Sequence, residues 1–383
     1  MQIYRNGGHM PKESKLEDIR GKYRREILKY ILDHDKTSRT DIARELQISM
    51  PTTLQYINEL MERGLIRDSG QFQSTGGRKA SVLTCYDDAA YTLGIDITKN
   101  HISYVVTNLR ERIVDKERDL VPYKNDSDYY KKLTEGSHGF LEKSGIDKNK
   151  IVGVGISFPG TLNTDGSVIM DSYVLNLKNV PSSVITNQFE WASCCINDAN
   201  AAGYAEMRRR NTESNFVYLS LSNSVGGAVF IDGKPFYGAN QRSGEFGHMR
   251  IVPGGRKCYC NQHGCLDAYC SALVLSPTGE HLESFFDKLN AGDREAEKIW
   301  EDYLEHLAIA VIDIRMNFDV EVILGGYVGK FMGPWMHKLW PKVTKLDSFE
   351  VNSMSYLHPC VCELEASAYG ASILALEKYI ERL

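Results

Sequence analysis

The first part of the chain repeats apolar residues at helical spacing. Ile27, Leu28, Ile31 and Leu32 fall on one side of a helix, and the polar segment "DHDKT" then interrupts the pattern. A short second helix follows, and we expect Thr40 to be its N-cap because threonine satisfies a free N–H of the first turn. These segments predict two short helices joined by a polar turn.

A third helix is predicted to start at Ser49, which is another N-cap residue type. Pro51 fits the first turn, where a missing N–H costs little. Its inward face is expected to consist of Leu54, Ile57 and Met61. The segments "LIRDS" and "SVLTCY" then predict two strands joined by "GQFQSTGGRKA".

This order of elements is typical of a winged helix-turn-helix, whose third helix enters the major groove of DNA. Polar side chains on that helix would contact bases, and a basic wing tip would contact phosphates. The residues expected at double-stranded DNA are Ser49, Thr52, Thr53, Gln55, Tyr56, Arg78 and Lys79. A small helical bundle that binds protein is the alternative; the "TGGRK" tip and the uncharged helix face favour DNA.

From residue 86 the pattern changes to strands that alternate with helices. Two strand, turn, strand units near residues 93 and 216 indicate a duplicated α/β fold. Such a duplication is the plan of the actin and hexokinase type, in which two lobes enclose a cleft. The last 18 residues, from Ala366 onward, form an amphipathic helical pattern.

Four segments, "INDANAAG", "SGEFGHM", "CYCNQHGCLDAYCS" and "VILGG", follow one another behind the winged helix. In this order they resemble the ROK family of sugar kinases and sugar-responsive repressors. The resemblance implies a two-lobed, ribonuclease H-like α/β domain. We therefore expect an N-terminal extension at 1–21, a winged helix at 22–85, lobe 1 at 86–200 and 366–383, and lobe 2 at 201–365.

Three cysteines fall within eight residues, close to one histidine. The set is His248, Cys258, Cys260 and Cys265, and the resemblance assigns the same four as zinc ligands. Four N/S ligands suit a structural, tetrahedral Zn²⁺, and thiolates prefer it to Mg²⁺ or Ca²⁺. The alternative is a group of buried cysteines beside a surface histidine. We expect His263 to be solvated and Cys270 to lie in the core.

A sugar site needs carboxylate, amide and imidazole groups that pair with hydroxyls. The expected sugar contacts are Asn176, Asn197, Asp198, Glu245, His248 and Asp267. By resemblance, Asp198 stands at the general base of the family kinases. Family members usually carry Glu where Asp267 stands, which shortens the reach of that contact. The alternative is that Asp198 caps the following helix and that Glu245 is a surface acid.

Family kinases hold ATP phosphates with an Asp-x-Gly-Gly-Thr turn and a Gly-Thr-Gly loop. Here Asp96 is kept, but Thr-Lys-Asn stands at 98–100 and Ser-Asn-Ser at 222–224. Glycine permits the close approach of backbone N–H groups to phosphate, and these side chains remove it. We therefore expect a repressor in which Asp198 is a vestigial general base, with an active sugar kinase as the alternative.

The charge distribution agrees with a DNA-binding head. The 383 residues carry a net charge of −5, whereas residues 1–84 hold 15 basic against 11 acidic residues. We find no secretory signal and no apolar run long enough for a bilayer, so we expect a cytoplasmic protein. A homodimer or tetramer is expected because one winged helix covers one half-site. A metal or redox sensor acting through the cysteines is a third hypothesis.

Overall fold

The computed structural model describes residues 12–71, 81–212, 214–277, 282–349 and 351–383, with the backbone alone at 12–20 and 71. The helices are α1 (Lys12–Asp33), α2 (Arg39–Glu45), α3 (Met50–Glu62), α4 (Ser127–Lys143), α5 (Ser183–Thr186), α6 (Asp198–Arg210), α7 (Asp267–Cys270), α8 (Ala272–Leu275), α9 (Leu282–Asn290), α10 (Arg294–Phe318), α11 (Gly326–Met332), α12 (Met336–Leu346) and α13 (Ala366–Glu381).

The strands form four sheets. They are β1 (Ile66–Gln71), β2 (Ser81–Cys85), β3 (Tyr91–Ile97), β4 (His101–Asn108), β5 (Ile113–Leu120), β6 (Ile151–Phe158), β7 (Thr161–Leu162), β8 (Val168–Ser172), β9 (Leu177–Pro181), β10 (Ser193–Asn197), β11 (Phe216–Leu221), β12 (Val225–Ile231), β13 (Lys234–Pro235), β14 (Glu321–Gly325) and β15 (Leu357–Pro359).

Helices α1 to α3 and the hairpin β1–β2 build the N-terminal head. Helix α1 begins at Lys12, ten residues before the boundary expected at 22, because lysine, glutamate and arginine extend a helix without adding apolar periodicity. The expected cap of α2 was wrong: Ser38, not Thr40, accepts the N–H of Asp41. Ser49 caps α3 as predicted, by accepting from the N–H of Thr52.

The duplicated α/β fold is confirmed by the sheet topology. In lobe 1 the order is β5-β4-β3-β6-β10, and in lobe 2 it is β13-β12-β11-β14-β15. In each sheet the first two strands in sequence form an antiparallel hairpin, and the third strand pairs antiparallel with the second. The fourth strand pairs in parallel with the first. A small antiparallel sheet, β7-β8-β9, is attached to lobe 1. Among the described residues, no helix has the length and apolar content to cross a bilayer.

Helix α13 packs against β3, β6 and α6 without room for side chains at the contact points. A Cβ atom added to Gly370 would overlap the carbonyl of Ala201 on α6. A Cβ on Gly155 of β6 would overlap the backbone of Ala371. Because interiors are packed close to crystal density, this helix is held in one position.

The C-terminal end of α13 also reaches the head. Leu376 and Ile380 share one apolar cluster with Ile27 and Ile31 of α1. Nearby, Arg110 in the β4–β5 turn donates from Nη1 to the carbonyl of Leu32 (2.6 Å), and its Nε donates to Asp87 (2.8 Å). The head is therefore docked on lobe 1 through both apolar and charged contacts.

The packing of α13 predicts opposite effects for two glycine substitutions. Gly370→Ala is expected to lower the free energy of unfolding by about 1–3 kcal/mol, because the added methyl must displace backbone. Gly139→Ala on α4, where nothing lies within 4 Å of the new atom, should stabilise the protein by about 0.5–1 kcal/mol. Thermal unfolding of the two variants measures this, and equal melting temperatures would contradict the packing account.

Candidate functional sites

A row of polar residues crosses four strands of the lobe 1 sheet. In register across four strands lie Ser157 on β6, Asp96 on β3, Ser103 on β4 and Arg118 on β5. Ser157 donates a 2.8 Å hydrogen bond to Asp96. Two members of the row are charged, the carboxylate of Asp96 and the guanidinium of Arg118.

Asp198 lies beside this row, at the carboxyl end of β10 and in the first turn of α6. Its Oδ1 accepts from the N–H of Ala199 (2.9 Å) and from Nδ2 of Asn197 (3.0 Å). Asn197, not Asp198, is the N-cap of α6, since its side chain accepts from the N–H of Asn200. The alternative that Asp198 serves as the helix cap is therefore wrong, and its second oxygen is available to the cleft.

Burial and, to a smaller extent, the neighbouring Asp96 together raise the pKa of Asp198 to about 7. Burial also raises the pKa of Asp96 to about 6. A carboxyl group with a pKa near neutrality both accepts and donates protons readily at physiological pH. This is the property required of a group that pairs with a sugar hydroxyl.

The opposite wall of the cleft carries Glu245 and His248. Nε2 of His248 lies 4.0 Å from a carboxylate oxygen of Glu245 and 3.3 Å from the hydroxyl of Tyr259. The cleft is lined by Asn197, Asp198, Glu245, His248 and Tyr259, among others, and holds about 2580 Å³. It therefore brings four of the six expected sugar contacts to one cavity.

The other two expected sugar contacts do not line this cavity. Asp267 is buried, and its Oδ2 accepts from the N–H of Val225 (2.7 Å). This backbone contact engages one carboxylate oxygen of the aspartate. Asn176 is exposed in a turn, with φ of 52°, where its N–H binds the carbonyl of Tyr173. Neither residue lines the cavity, and their contact with a sugar stays a prediction.

The four expected metal ligands are brought together. One ligand atom from each of His248, Cys258, Cys260 and Cys265 lies within 4.8 Å of every other. Nδ1 of His248 is buried without a hydrogen-bond partner in the described part of the chain, which costs free energy unless another group binds it. A thiol-rich set with one orphaned imidazole nitrogen fits a tetrahedral metal ion.

Two residues with left-handed backbone angles shape the loop that holds these cysteines. A Cβ on Gly264, whose φ is +81°, would overlap the carbonyl of Val252. Asn261 stands where family members usually have glycine, and its φ of 65° is one that asparagine tolerates. The loop is closed by a bridge between Arg250 and Cys265.

Side-chain hydroxyls accept from backbone N–H groups at the two turns that, by resemblance, correspond to the ATP-binding turns of family kinases. The hydroxyl of Thr98 accepts from the N–H of His101 (3.0 Å) across the first turn. In the second turn, the Ser222 hydroxyl accepts from the N–H of Tyr327 (3.4 Å). The guanidinium of Arg118 lies 5.5 Å from the centre of the Tyr327 ring, so the two lobes meet here.

The outer face of the recognition helix α3 is rotated by one residue from the prediction. Thr53 and Tyr56 are 0% and 4% exposed, so the prediction that they contact DNA was wrong. Leu54, expected inside, is 39% exposed. The predicted and the observed pattern each place apolar residues on one face of the 13-residue helix. Tyr56 packs inside, with its ring centre 5.9 Å from that of Tyr23 and the two planes tilted by 33°.

The exposed positions of α3 are Met50, Pro51, Leu54, Gln55, Asn58 and Glu62, with Thr52 half-buried. Sequence reasoning missed Met50, Leu54 and Asn58, although their spacing with Gln55 follows one helical face. The Ser49 hydroxyl lies 2.7 Å from that of Thr52 at the helix start. Arg78 and Lys79 lie outside the described residues.

Two protein-family profiles match this chain. The ROK family profile matches residues 92–378, and the winged helix-turn-helix DNA-binding profile matches residues 20–67. The chain belongs to the ROK family. Its N-terminal domain is of the winged helix-turn-helix DNA-binding class.

Three similar proteins illustrate the relationship. The xylose repressor of Bacillus subtilis (strain 168) is 26% identical over 369 residues, which cover 93% of this chain and 95% of that protein. A ROK family transcriptional regulator, a homologue of the Escherichia coli MLC protein, shares the fold with a TM-score of 0.76 at 18% identity, covering 95% of this chain and 97% of that one. A ROK family glucokinase from Streptomyces griseus, in complex with glucose and AMPPNP, has a TM-score of 0.64 at 21% identity and covers 75% of this chain and 100% of that one.

The raised pKa of Asp198 predicts a pH-dependent stability. Since the folded pKa lies above the unfolded value, the folded protein binds the extra proton between about pH 4 and pH 7, and stability falls as pH rises through that window. Asp198→Asn should therefore raise the free energy of unfolding at pH 8 by about 1–2 kcal/mol, a value discounted for partial exposure, and by less at pH 5.

Denaturant unfolding at the two pH values measures the difference. Asp287→Asn, at an exposed position of α9, removes the same charge far from the cleft and is expected to change little at either pH. An equal effect of Asp198→Asn at pH 5 and pH 8 would contradict a carboxyl group that titrates near neutrality.

Proposed function

We propose that the protein is a sugar-responsive transcriptional repressor that binds operator DNA through its winged helix. The observation that carries this proposal is the combination of a winged helix-turn-helix head with a cleft that gathers four of the expected sugar contacts. Asn197, Asp198, Glu245 and His248 remain in one cavity. The name of the Bacillus subtilis relative, a xylose repressor, supports this function.

The proposed response to sugar is a population shift between two arrangements of the lobes. Sugar that binds between Asp198 on α6 and His248 in lobe 2 would favour a closed cleft. Because Ser367 of α13 donates to the carbonyl of Asp198 (3.1 Å), a movement of α6 reaches the helix that supports the head. A coupling of ~1–3 kcal/mol between sugar and DNA is typical of such systems.

We also propose that the protein does not phosphorylate its sugar efficiently. Phosphoryl transfer depends on backbone N–H groups and Mg²⁺ around the phosphates. The hydroxyls of Thr98 and Ser222 occupy the two turns that would supply those groups, and Arg118 contacts Tyr327 between them. An active sugar kinase stays the second candidate because Asp198 keeps the position and the raised pKa of a general base.

The metal set is proposed to bind one structural Zn²⁺ through His248, Cys258, Cys260 and Cys265. The ion would hold the histidine ring by Nδ1, and Nε2 would then face the cleft. Zinc supplies no reaction step in this proposal. Its effect is to fix one wall of the sugar site.

Zinc binding is tested by Cys260→Ser. The purified protein should hold about one Zn²⁺ per chain, and the variant should lose most of it and melt at least ~5 °C lower, since a structural metal contributes several kcal/mol to folding. Elemental analysis after dialysis and thermal unfolding measure both. Cys194→Ser, a half-buried thiol outside the cluster, should keep the metal. A Cys260→Ser protein with full zinc content would refute the site.

The repressor function is tested by unbiased selection of DNA sites from the source genome with the purified protein. Discrete, two-fold symmetric sites near genes for sugar uptake or catabolism are expected, because a dimer presents two winged helices. Diffuse, salt-sensitive binding alone would contradict a specific regulator. An assay for sugar phosphate formed from MgATP distinguishes the kinase alternative.

The geometry of α3 predicts which residues read those sites. Gln55→Ala and Asn58→Ala should each weaken binding to a selected site by roughly 5–150-fold, the ~1–3 kcal/mol of a base contact, with a smaller effect on random DNA. Glu62→Gln, exposed at the other end of the helix, is the control. Fluorescence anisotropy titrations measure the affinities. Unchanged discrimination between selected and random DNA in both variants would exclude this face as the reader.

A further inference from the structure

Two tyrosine rings from different lobes stack at the rim of the cleft. Tyr173 follows strand β8 in the small sheet of lobe 1, and Tyr259 lies between Cys258 and Cys260 in lobe 2. Their ring centres are 4.7 Å apart, with an angle of 28° between the planes. Both rings line the same cavity as Asp198 and His248. The stack therefore bridges the two walls between which a sugar would lie.

The two rings are held very differently. Tyr259 is 37% exposed, and its hydroxyl lies 3.3 Å from Nε2 of His248. Its loop is held by hydrogen bonds from the N–H of Cys258 to Gln262 and from the N–H of Asn261 to Cys258. Tyr173 is 69% exposed, in a turn beyond the end of its strand. A large ring that stays so exposed gains little from burial in its own lobe. Its stacking contact is with the opposite lobe.

The stacked tyrosines lie next to His248, one of the residues proposed to bind the sugar. Tyr259 touches the imidazole that is proposed to bind the sugar, so a ligand at His248 lies next to the aromatic pair. Sugars carry C–H groups on one face of the ring, and aromatic side chains supply the matching apolar surface in ligand sites. For the sugar to leave on this side, Tyr173 must part from Tyr259.

We propose that Tyr173 and Tyr259 form an aromatic latch across the cleft rim that retains a bound sugar. This inference rests on the proposed function, because it assumes that a sugar occupies the cleft. The latch acts as a positioning element: Tyr259 is the fixed half and Tyr173 is the mobile half. Its main effect is on the rate at which sugar dissociates.

The test measures sugar binding to the full chain with D-xylose and D-glucose as probes. Tyr173→Ala should weaken the affinity of whichever sugar binds by ~3–10-fold, the size of an aromatic stacking contribution, with the change carried by faster dissociation. Tyr173→Phe keeps the ring and should restore the affinity. Tyr259→Leu should match Tyr173→Ala, and the double variant should be no weaker than either one.

Two controls separate the latch from a general loss of structure. Phe349→Ala removes a ring that is 76% exposed on lobe 2 outside the cleft and should leave sugar binding unchanged. Each variant should keep the zinc content and melting temperature of the parent protein. Calorimetric titration gives the affinities, and stopped-flow mixing gives the dissociation rates.

The outcomes distinguish this inference from the proposed function. If the parent protein binds a sugar and Tyr173→Ala binds it within a factor of about 2, the latch is refuted while the repressor proposal stands. If Tyr173→Ala binds faster and more tightly, the stack obstructs entry, and the latch is likewise refuted. If the parent protein binds neither sugar, the result contradicts the proposed sugar response. It then also contradicts the latch, which requires a bound sugar.

Discussion

The architecture depends on the close packing of helix α13 against the lobe 1 sheet and α6. Glycines at 155 and 370 let backbone meet backbone, so that an added methyl group would overlap its neighbour. The N-terminal end of this helix contacts Asp198 through Ser367, and its C-terminal end shares an apolar cluster with α1 of the head. One rigid element thus connects the cleft to the DNA-binding domain.

The cleft brings together four of the residues expected to contact a sugar. Burial brings the pKa of Asp198 to about 7, so the carboxyl still suits a hydroxyl partner. On the nucleotide side, the Ser222 hydroxyl accepts from the N–H of Tyr327, and Arg118 supplies a cation beside the carboxylates. Arg118 lowers the pKa of Asp96, in opposition to the effect of burial.

Much of the fold could be predicted from the sequence, because the hydrophobic periodicities of strands and helices are local signals. The grouping of His248 with three cysteines was also predicted from the sequence, since the cysteines lie within eight residues. The exposed face of α3 could not be predicted from the sequence, because the hydropathy of Leu54 and of Tyr56 suits the interior equally well. Only the packing of Tyr56 against Tyr23 decides which of the two is buried. The role of Asp267 depended on a single hydrogen bond to a distant backbone N–H, and the Tyr173 stack joins two lobes. No local pattern encodes such contacts.

The central claim is that sugar in the cleft changes the affinity of the head for DNA through α13. The most direct measurement is the affinity of the parent protein for a selected operator at fixed salt, with and without saturating sugar. The account predicts a change of roughly 5–150-fold, the ~1–3 kcal/mol of a two-state coupling, and an equal change in sugar affinity caused by DNA. Sugar that binds tightly while DNA affinity stays constant would contradict it.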